Sequence, residues 1–216
     1  RCSMWRLVCT VALLGVLVAG LGSAQVPGVG LDVLGEFEGG ATGEQSQRLS
    51  LAVSNPSYPV TPGDSYQLTF SAAGQVTASV LTVESDGRLN LNLFGEIDTA
   101  GMTYPQLKRE VEETVREAYP RSQPSFRLIS VGIFEVTVRG AIDETTRANA
   151  WGLSRLSDVV QPLFEPYSSR RRVLLRDSGE LERVYDVFKA INLGELDQDP
   201  YVQPGESVRI PPVGAL

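Results

Sequence analysis

The chain has 216 residues, 42% of them hydrophobic, and carries 19 basic against 26 acidic residues for a formal net charge of −7. That is enough apolar content for one or two packed cores, and the acid excess disfavours nucleic acid and anionic lipid as partners, because phosphate binding needs a basic footprint. Histidine is absent, which removes the commonest general base and the commonest metal ligand.

Arg1 and Arg6 precede an apolar run from Leu7 to Leu21, followed by Gly22-Ser23-Ala24. A basic start, an apolar middle and small residues at the end predict a secretory signal over 1–24, with cleavage after Ala24. The run falls short of the roughly 20 residues of a membrane span, and a retained anchor is the alternative. Met4 is a candidate start residue. Both cysteines, Cys2 and Cys9, lie in this segment. Beyond it there is no thiol for a disulfide, a nucleophile, a metal site or a lipid attachment.

Residues 25–55 are rich in Gly, Ser, Gln and Glu, with scattered apolar positions, and read as a flexible lead segment. At Tyr58 the pattern changes. Val60-Thr-Pro-Gly-Asp-Ser-Tyr-Gln-Leu68 has a second copy, Val202-Gln-Pro-Gly-Glu-Ser-Val-Arg-Ile210. In each, Pro62 or Pro204 presets the first turn angle, and Gly63 or Gly205 accepts the positive φ of a type II turn. An acid (Asp64 or Glu206) and a strand-like run follow. The two copies open and close a region expected to hold two small strand-rich modules.

Tyr66, Leu68 and Phe70 alternate with polar residues, which predicts a strand. Ser79 to Val83 and Arg88 to Leu93 flank Ser85-Asp86-Gly87, a hairpin signal. Leu89, Leu91 and Leu93 are expected on one face. The period then becomes helical. Thr103 is placed to cap and Gln106 to complete a capping box, while Pro105 is tolerated in the first turn. Leu107, Val111, Val115 and Ala118 form the apolar stripe. Lys108, Arg109, Glu112, Glu113 and Arg116 are expected on solvated faces, with Glu112 and Arg116 in the favourable i, i+4 order.

Strands are expected at Ser125 to Ser130 and from Ile133 to about Val138, with Gly140 marking a turn or a close backbone approach. A short helix near Leu153 to Val160, strands near Arg172 to Arg176 and Glu182 to Val187 about an Asp177-Ser-Gly179 turn, and a last strand at Ser207 to Ile210 complete the pattern. The fold class is α+β.

Site chemistry is sparse. Arg170-Arg171-Arg172 is the one concentrated basic run. It is a candidate contact for acidic sugars, since guanidinium pairs bidentately with carboxylates, against the plainer reading of a solvated loop. Trp151 and Tyr167 are candidate sugar-stacking rings, against core or interface packing. Asp143 and Glu144 are adjacent in a turn and define no cleft for a glycosidase pair. No residue is assigned as catalytic, cofactor-binding or metal-binding.

The order of these features resembles the polysaccharide export domain of bacterial outer-membrane polysaccharide export auxiliary proteins. The matching residues are Tyr58 with Pro62-Gly63-Asp64, Val83 to Gly87, Leu93-Phe94-Gly95, Ala100-Gly101-Met102-Thr103 with Leu107, and Pro124 before a strand. Met102 stands where the family usually has Leu. The second module resembles the soluble-ligand-binding β-grasp (SLBB) domain that follows in that family. Val136 to Gly140, Leu156 with Asp158-Val159, Val173 to Arg176, Tyr185-Asp186 and Asp199-Pro200 through Pro211 carry that likeness. It departs at Asp143-Glu144-Thr145-Thr146, where the family has Pro-Gly, and at Gln161 to Phe164, where it has Ala-Gly-Gly.

The resemblance implies an export domain over 56–132 and a β-grasp domain over 133–213. It further implies a non-enzymatic, ring-forming conduit or adaptor for a capsular or extracellular polysaccharide. Such a protein sits in the periplasm against the outer membrane and docks on an inner-membrane synthesis or export complex. The family's further β-grasp modules and pore-lining C-terminal helix have no counterpart in these residues. A periplasmic glycan-binding or scaffold module is the alternative.

Overall fold

The computed structural model describes residues 43–179 and 181–214. The expected signal, and residues 25–42 of the lead segment, lie outside the described residues. Within the remainder of that segment the chain forms helix α1 (Gly43–Ser54), which its composition does not suggest. Glu44 and Arg48 pair one turn apart, Ala52 is buried and Leu49 packs on the first core. Gln45 Oε1 accepts a hydrogen bond from Ser130 Oγ at 3.3 Å. Tertiary docking of two apolar positions overrides a polar composition, as it does for most helices of this length.

Strands β1 (Ser65–Ala72) and β2 (Gln75–Thr82) form a tight antiparallel hairpin, with Ala72 opposite Gln75. The turn residues Ala73 and Gly74 both have positive φ, as a two-residue hairpin with right-handed twist demands. Strand β5 (Ser125–Ser130) pairs on the other side of β1, giving the order β2-β1-β5. Tyr66, Leu68 and Phe70 of β1 and Phe126 and Leu128 of β5 face the core, and Tyr66 stacks on Phe126 with ring centroids 4.7 Å apart.

The Ser85-Asp86-Gly87 turn forms as expected, with Glu84 N–H donating to the Arg88 carbonyl. The strand after it is shorter than its alternation suggests. It pairs over β3 (Arg88–Asn90) with β4 (Glu96–Asp98). Asn92 turns to φ 57°, so the period breaks: Leu89 and Leu91 are buried but Leu93 is 83% exposed.

Helix α2 (Tyr104–Ala118) follows, and Gln106 Oε1 accepts from the Thr103 N–H at 2.8 Å, one half of the expected capping box. Leu107, Val111 and Val115 are fully buried, while Ala118 is exposed and drops out of the stripe. Glu112 is not a solvated-face residue alone. It lies 4.0 Å from Arg116, and its Oε1 accepts from the Phe126 N–H at 3.2 Å, which ties the helix to the edge of β5.

The second sheet has five strands in the order β7-β6-β10-β8-β9: β6 (Phe134–Gly140), β7 (Thr146–Ala150), β8 (Val173–Arg176), β9 (Glu182–Tyr185) and β10 (Ser207–Ile210). Its first and last strands, β6 and β10, are parallel neighbours at the centre, and the outer pairs are antiparallel hairpins. Helix α3 (Leu156–Val160) crosses between the hairpins and buries Leu156, Val159 and Val160 against the sheet. A mixed sheet with a helix packed on it agrees with the expected α+β class. Gly140 ends β6 where a Cβ would collide with the Ile210 backbone, which is the close approach its position suggests. Strand β7 and helix α4 (Val187–Leu193) were not expected. Asp186 caps α4 by accepting from the Lys189 N–H, and Gly194 ends it at φ 72°. The expected strand near Glu182 to Val187 therefore stops at Tyr185.

Candidate functional site

The Pro62-Gly63 turn has the geometry its sequence demands. Gly63 sits at φ 88°, and the Asp64 N–H returns to the Thr61 carbonyl at 3.1 Å. Sequence does not show where the Asp64 carboxylate goes. It is fully buried and accepts from Tyr58 Oη at 2.9 Å, Thr61 N at 3.0 Å, Thr61 Oγ1 at 3.0 Å, Tyr66 Oη at 3.2 Å and Gly132 N at 2.7 Å. Burial lifts the Asp64 pKa above the ordinary carboxylate range, and its hydrogen bonds pull the other way. Burial, and then the neighbouring Asp64 charge, raise both tyrosine pKa values, so both phenols stay protonated as donors.

The Gly132 contact gives this network its place in the molecule. Gly132 lies between β5 of the first sheet and β6 of the second. Its N–H is held by the carboxylate, and a Cβ there would strike the Pro62 carbonyl and the backbone of Gly63 and Asp64. The turn that starts the first sheet therefore fixes the direction in which the chain leaves it.

A second contact joins the sheets. After β7, Trp151 and Leu153 pack on the first core. Gly152 lies so close to the Tyr58 ring that a Cβ would come within 2.9 Å of it. Trp151 lies 6.5 Å from Tyr58, centroid to centroid, and the Arg48 guanidinium of α1 lies over its ring at 6.0 Å. Trp151 is thus an interface residue.

The C-terminal copy of the turn has the same local frame. Gly205 sits at φ 85°, the Glu206 N–H returns to the Gln203 carbonyl at 3.2 Å, and the Glu206 carboxylate accepts from Gln203 N at 2.7 Å. The segment before it is zipped to the start of α3. Buried Asp199 accepts from Ser157 N at 2.8 Å and Ser157 Oγ at 2.7 Å, and Arg155 stacks on Tyr201 at 4.5 Å. The two turns converge on one cleft of about 300 Å³, with Val60 and Thr61 from the first, Gln203 and Pro204 from the second, and Gly152 and Tyr201 beside them.

Two arginines of the basic run stack on different rings. Arg170 stacks on Phe164 at 5.2 Å. Arg171 stacks on Phe188 at 4.3 Å and lies 3.6 Å from Asp186. Tyr167 is 49% exposed, and its phenol donates to Asp143 at 3.2 Å. It lines a shallow hollow of about 450 Å³ with Arg209 and Pro212. Asp143 and Glu144 are exposed on their turn. Asp199 carries part of the family likeness in the sequence, but its bonds to Ser157 do not show there, and Gly132 and Arg155 are not singled out. A glycine between two strand patterns was the available signal for Gly132, but nothing marked Arg155.

Residues 52–129 match the family model described as polysaccharide biosynthesis/export protein. The match spans β1 to β5 and includes Tyr58, Thr61, Asp64 and Tyr66. No match was found among curated proteins. Among the described residues, no helix is long and apolar enough to cross a membrane.

Proposed function

We propose that the chain is a subunit of a capsule or exopolysaccharide export assembly, in the periplasm against the outer membrane. Copies stand side by side in a ring that serves as conduit or adaptor, and the ring docks on an inner-membrane synthesis or export complex. The observation that carries this reading is the family match over 52–129, which falls on the module organised by Asp64. The apolar run after Arg1 and Arg6 supports export from the cytoplasm. On this reading 56–132 is the export domain and 133–213 an SLBB-like β-grasp domain.

The work assigned to the chain is positioning, not bond chemistry. Among the described residues the two fully or nearly buried carboxylates, Asp64 and Asp199, have their oxygens engaged by neighbouring donors. Neither is presented to a substrate as a general acid or base. A joint made of Asp64, Gly132, Tyr58 and Gly152 suits a protein whose two modules must keep one mutual orientation in a multimer.

Deleting the gene and measuring cell-surface and released polysaccharide tests this. Loss of polymer outside the cell, restored by the intact gene, is expected. Unchanged polymer would overturn it. A second reading, a glycan-binding module without transport, is favoured by Tyr167 exposed beside Arg209. It predicts intact export and binding of a soluble oligosaccharide that Tyr167→Ala abolishes.

A further inference from the structure

Sheet edges present unpaired N–H and C=O groups, and proteins blunt them with charge, brevity, bulges or cover. Four edges of this chain are treated in that way. Along β5, α2 supplies the missing partners: Glu112 accepts from Phe126 N–H, and the Tyr104 hydroxyl meets Leu128 N–H and the Phe126 carbonyl. Strand β9 is four residues long and carries Glu182 and Arg183. Strand β7 has five residues, with Arg147 paired to Glu135. Strand β4 has three residues, two of them acidic.

Strand β2 is the exception among the described residues. It is an edge strand of eight residues, Gln75 to Thr82, with no charge and no proline. Val76 is 77% exposed and Val80 44%. Val83 bonds inward, donating to Asp64 and accepting from Gly63. Antiparallel alternation then points the backbone groups of Thr82, Val80, Ala78 and Val76 outward.

We infer that β2 pairs antiparallel with β2 of a second copy across a two-fold axis at Ala78, joining two three-stranded sheets into one of six strands. Three observations select this occupant. The chain's net charge is −7, so two copies meet with least repulsion on an uncharged strand. The other described edges are blunted and offer a neighbour little to pair with. The register is also self-complementary. Outward backbone groups must face one another, and the core faces of the two sheets must coincide. Centring on Ala78 meets both conditions and sets Val76 opposite Val80 twice, with Ala78 opposite itself. That register joins the two exposed valines to each other and buries apolar surface on both, whereas centring on Ser79 sets Val80 against Ala78 and Val76 against the hydroxyl-bearing Thr82. The contact is isologous and closes on a pair. It leaves the head-to-tail surfaces of a ring free and does not depend on what the chain exports.

Cysteine cross-linking of the full chain, in a Cys2→Ser, Cys9→Ser background, tests the register. Opposed residues of a hydrogen-bonded pair lie about 5.5 Å apart at Cα, within disulfide reach. Under mild oxidant Ala78→Cys should give a disulfide dimer. Val76→Cys and Val80→Cys should each give little alone but cross-link when mixed. Val80→Pro, which removes only an outward N–H, and Ala78→Lys should abolish dimers seen by light scattering. No cross-link at residue 78, equal yields at all three positions, cross-links only to another protein, or a dimer indifferent to Ala78→Lys would overturn the proposal.

Discussion

The two Pro-Gly turns share a backbone and differ in what their acids do. Both glycines sit near φ 85–88°, and both acids accept from the N–H three residues back. Asp64 adds four further donors, from Tyr58, Thr61 Oγ1, Tyr66 and Gly132, and is fully buried. Among the described residues Glu206 accepts from Gln203 alone, and it stays partly exposed. One motif therefore does two jobs. At the C-terminus it only launches a strand, while at Asp64 it also clamps the passage from one sheet to the next.

The largest contrast is expected on truncation. Asp64→Ala leaves five donors without their acceptor. It should cost about 3–5 kcal/mol, in the range of a buried polar network broken at one partner. Glu206→Ala should cost about 1 kcal/mol, the worth of one hydrogen bond. Urea unfolding of both variants checks this, and equal costs would erase the distinction. Valine at the glycines comes next. Gly63→Val and Gly205→Val both force a β-branched residue into positive φ, at about 1–2 kcal/mol. At Gly63 the new Cβ also meets Gly132 Cα at 3.3 Å, against Ser178 Cβ at 3.8 Å for Gly205. Thermal melts should show the larger loss at Gly63.

Smaller effects refine the clamp. Tyr58→Phe and Tyr66→Phe each delete one hydroxyl bond to Asp64 and should cost about 1 kcal/mol. The shorter bond, from Tyr58, should matter more. Smallest is the pH effect. Burial raises the pKa of both Asp64 and Glu206, so the folded state holds each proton more tightly than the unfolded chain. The stability this contributes is fully present below the unfolded value, about 4, and is lost as pH rises through the higher folded value. Melts across that window should show the native chain losing stability relative to its Asp64→Asn variant as pH rises, and parallel curves would contradict it.

Periodicity made much of the fold legible. The α2 stripe at Leu107, Val111 and Val115, the β1 alternation at Tyr66, Leu68 and Phe70, and both glycine turns all follow from local spacing and backbone sterics. What escaped depends on partners distant in sequence. Helix α1 is polar in composition and is held by Leu49 and Ala52 on the first core. Helix α4 is too short for its period to show. The clamp was half legible: Pro-Gly-Asp predicts the turn, but the 68-residue separation from Asp64 to Gly132 carries no local signal. Leu93 failed for the opposite reason, since one positive-φ residue, Asn92, reset the face.

Amide hydrogen exchange at Gly132 bears most directly on the clamp. Its N–H, held at 2.7 Å by a fully buried carboxylate, should exchange only through global unfolding, as slowly as the amides of β1. Exchange as fast as that of an open inter-strand loop would show that Asp64 does not hold the joint.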